Sequence, residues 1–100
     1  MSRTYYTDYV RHTLRFYSRN CDKQPSFNTD IDKENWLSCY SVLKHYSDNE
    51  QAMLISVYSG YDTLADEVYN TSKKYNIEQN IIWDLMKEVE RKIARRRRLI

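Results

Sequence analysis

One hundred residues, 41% apolar and 30% charged, with a single Gly and a single Pro, suffice for one hydrophobic core and exclude collagen-like and disordered compositions. So few turn-forming residues also exclude an all-β chain, which leaves helices as the expected class. The net charge of +2 conceals a division: residues 1–20 carry four Arg against one Asp, residues 21–86 five Lys against eleven acids, and residues 87–100 seven bases against two acids. Such polarity suits a domain that meets a polyanion with one face.

Residues 3 to about 19 put Tyr6, Val10, Thr13 or Leu14, and Tyr17 on one helical stripe that Tyr5, Tyr9 and Phe16 widen. The stretch NCDKQPSFNTD has loop chemistry. A second helix is expected from about residue 31, capped by Asp30 or Asp32, with Trp36, Tyr40, Leu43 and Tyr46 inward. SDNE at 47–50 reads as a capping box, so a third helix begins near residue 48 with Leu54, Val57 and Tyr58 inward. Gly60 stands where that helix should stop in a left-handed C-terminal cap. Asp62 or Thr63 then caps a fourth helix that carries Asp66 in its first turn and runs to about Tyr75. The fifth and longest helix follows Asn76, with Ile82, Leu85, Val89 and Ile93 at steps of three and four, Trp83 and Met86 beside them, and ARRRR at its end. The fold class is therefore all-α, about five helices in a single domain, with residues 1–46 as an N-terminal helical extension.

The joint SKKYNIEQNIIWDLM meets the demands of a helix-turn-helix, in which two helices cross steeply through a turn of three or four residues. Ser72 is small enough for a close crossing, Tyr75 is expected between the helices, Asn76 tolerates positive φ, and Ile77 plugs the turn. Ile82 and Leu85 then point inward, and Glu78, Gln79, Asn80, Trp83, Asp84 and Lys87 outward. On these residues the stretch from about 46 to 98 resembles the region-4 domain of bacterial sigma factors and the short sigma-like regulators of phages and mobile elements. Members of that family usually have Ala, Leu and Gly where this chain has Ser72, Tyr75 and Asn76. The N-terminal half matches no promoter-melting sigma domain, so a complete sigma factor is not expected.

The resemblance implies sequence-specific binding of duplex DNA in transcriptional regulation, through a helix-turn-helix part at residues 47–98. RNA polymerase or another regulatory protein is a further partner it suggests. Gln79 and Asn80 suit the base edges, because a carboxamide donates and accepts together against adenine, and Trp83 either joins them or leans on the core. Lys73, Lys74, Lys87, Arg91, Arg95, Arg96, Arg97 and Arg98 become phosphate contacts. Glu78 and Asp84 oppose phosphates, although an acid accepts from cytosine. The alternative is a small helical module that contacts another protein through its tyrosine-rich N-terminal half and binds no DNA.

Catalysis finds no foothold in the sequence. His12 and His45 have no metal-ligand spacing with Cys21 or Cys39, one glycine cannot build a phosphate loop, and the carboxylates read as caps or outward residues, so neither an enzyme nor a cofactor is expected. Apolar runs are too short for a membrane span, and the N-terminus carries Arg and Asp where a signal peptide is apolar. A cytoplasmic chain with reduced thiols is the expectation.

Overall fold

The structure, a computed structural model, describes residues 6–21 and 29–100; predicted helical residues 3–5, with Tyr5, and loop residues 22–28 lie outside the described residues. The fold is all-α: α1 (Thr7–Asn20), α2 (Asp30–Leu43), α3 (Asp48–Ser59), α4 (Leu64–Tyr75) and α5 (Gln79–Arg96). Among the described residues no helix is long and apolar enough to cross a membrane.

Three helices start on side-chain caps that the local sequence supplies. Ser47 Oγ accepts from the Glu50 N–H at 3.2 Å while Glu50 Oε1 accepts from the Ser47 N–H at 3.0 Å, the reciprocal pair expected for α3. Thr63 Oγ1 accepts from the Asp66 N–H at 3.2 Å and starts α4. At α2 the cap is Thr29 rather than Asp30 or Asp32: Thr29 is extended, with ψ 161°, and its hydroxyl accepts from the Asp32 N–H at 3.1 Å. Asp30 and Asp32 are already inside the first turn, where their carboxylates complement the positive end of the helix dipole.

The core gathers Val10 and Leu14 from α1, Cys39 and Leu43 from α2, Leu54, Val57 and Tyr58 from α3, Val68 from α4, and Ile82, Met86, Val89 and Ile93 from α5. Each such side chain removed from water stabilises by about 1.5–3 kcal/mol. Helix α1 packs on α2, α3 and α5, whereas α4 touches mainly α3 and α5. Only Val68 and Thr71 of α4 are buried, so this helix depends more on its polar anchors, including the 3.0 Å hydrogen bond between the Ser56 and Thr71 hydroxyls.

Two helix faces differ from expectation. In α2 the buried row is Asn35, Ser38, Cys39, Val42 and Leu43; Trp36 lies at its margin and Tyr40 is 47% exposed. Tyr40 instead stacks on Trp36, ring centroids 5.7 Å apart, and the larger aromatic surface is satisfied at the boundary while smaller groups fill the space against α1 and α5. In α5, Met86 is fully buried and Leu85 only partly, and Tyr75 at the end of α4 is half-buried beneath Lys74.

Gly60 does not form a left-handed cap. Its backbone is extended, φ −69° and ψ 161°. The terminal carbonyls of α3 are satisfied instead from α1: Arg15 donates to Gly60 O at 3.0 Å, and Arg19 donates to Gly60 O at 2.9 Å and to Ser59 O at 3.3 Å. Two guanidinium groups at the negative end of the α3 dipole do the work that a turned-back backbone does elsewhere. A Cβ on Gly60 would meet only the carboxylate end of the flexible Glu67 side chain, which accepts from the Asp62 N–H at 3.1 Å.

Candidate nucleic-acid interface

The α4–α5 corner is closed by short-range bonds. Asn76 is left-handed, φ 53° and ψ 53°, and its N–H donates to Ser72 O. The Ile77 N–H donates to the same carbonyl at 3.1 Å, and Ser72 Oγ donates to Ile77 O at 2.7 Å. The helix end is closed around a left-handed residue, and the chain passes from α4 to α5 within the three residues 76–78. Asn adopts this region at lower cost than other non-glycine residues. Ile77 and Trp83 are partly buried against the core, and Ile82 is fully buried.

Gln79 and Asn80, the first two residues of α5, are exposed, as are Glu78 and Asp84. At 100° per residue, Asn80, Asp84, Lys87, Arg91 and Arg95 share one exposed face of α5. Lys73 and Lys74 are exposed at the end of α4, their ammonium groups 5.3 Å and 5.4 Å from the ring centres of Tyr69 and Tyr75. Arg96 and Arg98 are exposed as well. Trp83 lies at the edge of this face and gives part of its ring to the core.

Arg97 is placed differently from its neighbours. Its Nε donates to Asn35 Oδ1 at 2.9 Å and its terminal nitrogen pairs with Glu34 Oε2 at 2.9 Å, while the Tyr9 hydroxyl donates to the same Asn35 oxygen at 3.2 Å. This side chain fastens the end of α5 to α2 and α1. Past it, Arg98 is left-handed (φ 58°) and the Leu99 N–H returns to Ala94 O at 2.8 Å, which ends the helix as Asn76 ends α4.

Sequence reading did not find Glu90. It is 4% exposed, with Oε2 accepting from Arg11 Nε at 2.9 Å and from the Tyr58 hydroxyl at 2.5 Å. Burial first, and then the adjacent carboxylate, holds the Tyr58 phenol well above its ordinary value. The expectation that every carboxylate is a cap or an outward residue is thus corrected. A signal was present: Glu90 falls four residues after Met86 and three before Ile93, on an otherwise apolar row. A second missed pair lies nearby, where Glu88 accepts from the Tyr46 hydroxyl at 2.7 Å and from Lys92 at 3.0 Å.

These contacts redistribute the basic charge. Arg11, Arg15 and Arg19 all serve intramolecular bonds, so α1 presents little of its charge to a ligand. Among the described residues the exposed basic surface is concentrated on α5 and the end of α4. Among the described residues the chain is an all-α domain of five helices with a tight interhelical corner and a basic final helix. Comparison of the chain with protein-family models, curated proteins and solved structures gives no match.

Proposed function

We propose that the chain is a non-catalytic, cofactor-free regulator that binds duplex DNA, with α4 and α5 acting as a sigma-region-4-like helix-turn-helix and α5 entering the major groove. The observation that carries this reading is the closed corner at Asn76, because it leads directly into exposed Gln79 and Asn80 and then into the face bearing Lys87, Arg91 and Arg95. Carboxamides at the start of the entering helix read base edges, and the cations further along meet phosphates. Lys73 and Lys74 add phosphate contacts from the preceding helix. Trp83 and Arg97 contribute less to DNA on this reading, since each has a packing role.

Salt dependence tests it. Each neutralised phosphate contributes about 0.9 to the slope of log K against log salt, so the triple variant Lys87→Ala/Arg91→Ala/Arg95→Ala should lower that slope by roughly 3. The pair Gln79→Ala/Asn80→Ala should relax sequence preference and leave binding to random duplex nearly unchanged. Absence of measurable affinity for random or selected duplex at low salt rejects the reading. A protein-contact module without DNA binding then becomes the better account, supported by the internal use of the α1 arginines and by exposed Ile31, Leu37 and Tyr40 on α2.

A further inference from the structure

A shallow cleft of about 390 Å³ lies between α2 and the end of α5, lined by Glu34, Leu37, Ser38, Arg96, Arg97 and Arg98. Its floor is fixed: Arg97 is held by Glu34 and Asn35, and the left-handed turn at Arg98 is closed by the Leu99 N–H. The described ion pairs of the chain use Arg11, Lys92 and Arg97, so Arg96 and Arg98 stand in the cleft as exposed cations. Leu37 beside them is 43% exposed. With one acid against three arginines, the lining carries a net charge of +2 (3 − 1).

The geometry points to this cleft as a docking site for an acidic peptide segment of a partner protein, with an apolar side chain seated on Leu37 and carboxylates bridging Arg96 and Arg98. Charge complementarity selects an acidic occupant, since Arg97 already neutralises Glu34, and the exposed Leu37 favours peptide over a phosphate backbone, which offers no apolar group. Position separates the cleft from the proposed DNA face. Arg96 is about 140° around α5 from Arg91 and about 100° from Arg95, so a duplex centred on Asn80, Lys87 and Arg91 faces away from the cleft and meets it only at the Arg95 edge. The domain can then hold DNA and an acidic partner together. The cleft is independent of the DNA reading and stands if that reading fails.

The test uses the full chain and three probes: a short fluorescent peptide alternating Glu with Leu, its counterpart alternating Glu with Ser, and a random duplex. The Glu/Leu peptide should bind with Kd of roughly 10–300 μM, in the range of small transient contacts. Arg96→Glu/Arg98→Glu should weaken it at least about tenfold, and Leu37→Ser or the Glu/Ser peptide about threefold or more. Lys87→Ala/Arg91→Ala should change it less than about twofold. These are surface substitutions, and circular dichroism verifies folding of each. The proposal is overturned if the Glu/Leu peptide does not bind by about 1 mM, or if both peptides bind equally and Leu37→Ser is silent. It is equally overturned if the Arg96/Arg98 reversal spares peptide binding and weakens only the duplex, which assigns these arginines to phosphate.

Discussion

Removal of the Glu90 carboxylate is the most informative perturbation of the fold. Its side chain is 5% exposed and accepts from Tyr58 of α3 and Arg11 of α1 at once, so a single group of α5 ties three helices together. In Glu90→Ala the fully buried Tyr58 hydroxyl loses its acceptor, a penalty of about 1–3 kcal/mol. The Arg11 guanidinium loses its counter-charge, but its side chain remains 19% exposed and recovers some hydration, so its penalty lies at the low end for a broken buried pair. The sum is about 4–6 kcal/mol, a large share of the roughly 5–15 kcal/mol that holds a domain of this size. Glu90→Gln keeps an acceptor for Tyr58 and removes only the charge, which should cost about 1–2 kcal/mol.

Urea denaturation followed by circular dichroism measures both variants; thermal melting gives a second readout, in which about 4 kcal/mol corresponds to a fall in Tm of roughly 16–32 °C. If Ala is too unstable to purify, the Gln variant and Tyr58→Phe, expected at about 1–2 kcal/mol, carry the test. Equal losses for Ala and Gln, or a loss below about 1 kcal/mol for Ala, would refute the reasoning, since the carboxylate would then not be the acceptor on which both donors depend. A double-mutant cycle with Arg11→Met separates the ion pair from the packing of its stem.

Alkaline stability follows from the same phenol: the folded state retains the Tyr58 proton that the unfolded chain loses near pH 10, so unfolding releases protons and stability falls as pH rises above about 10. Burial pushes Tyr17 and Cys39 up to about 12 as well, so phenolate absorbance should lag in the folded protein and one late-titrating group should vanish in Tyr58→Phe. Gly60→Ala is expected to be nearly neutral, within about 1 kcal/mol by urea denaturation, because φ −69° suits Ala and the flexible Glu67 side chain can swing off the Asp62 N–H; a loss beyond about 2 kcal/mol contradicts this. Asn76→Gly should leave stability unchanged or raise it by up to about 1 kcal/mol, whereas Asn76→Val should lower it by about 1–3 kcal/mol, since only the former relieves φ 53°.

Local chemistry was legible and long-range chemistry was not. Ser47 with Glu50, Thr63, and the Ser72–Ile77 corner act within five residues, so their partners are written beside them in the chain. Glu90 meets Tyr58 and Arg11 across 32 and 79 residues, and nothing near it announces either one. Gly60 shows the same limit. A lone glycine after a helix reads as a left-handed cap because that cap is local, yet here the carbonyls are answered by arginines 41 and 45 residues away. In α2 the expected face followed the aromatic residues, whose size favours burial. The structure instead buries Asn35, Ser38, Cys39, Val42 and Leu43 and leaves Tyr40 outside, stacked on Trp36, while α2 packs on α1 and α5.

Segment charge is informative only after internal partners are subtracted. The +3 of residues 1–20 looked like half of a polyanion-binding surface, but Arg11 neutralises a buried carboxylate and Arg15 and Arg19 cap a helix end. Arg97 is likewise engaged with α2. The cations left over on α5 and just past its end divide by position: Lys87, Arg91 and Arg95 share the Asn80 face, while Arg96 and Arg98 line the cleft with Leu37. A run such as RRRR therefore distributes its charges through 100° steps and one left-handed turn: Arg97 latches onto α2, Arg95 stays on the Asn80 face of α5, and Arg96 and Arg98 line the cleft. Replacing the whole run at once would merge these roles; single and paired substitutions, read separately with duplex and peptide, keep them apart.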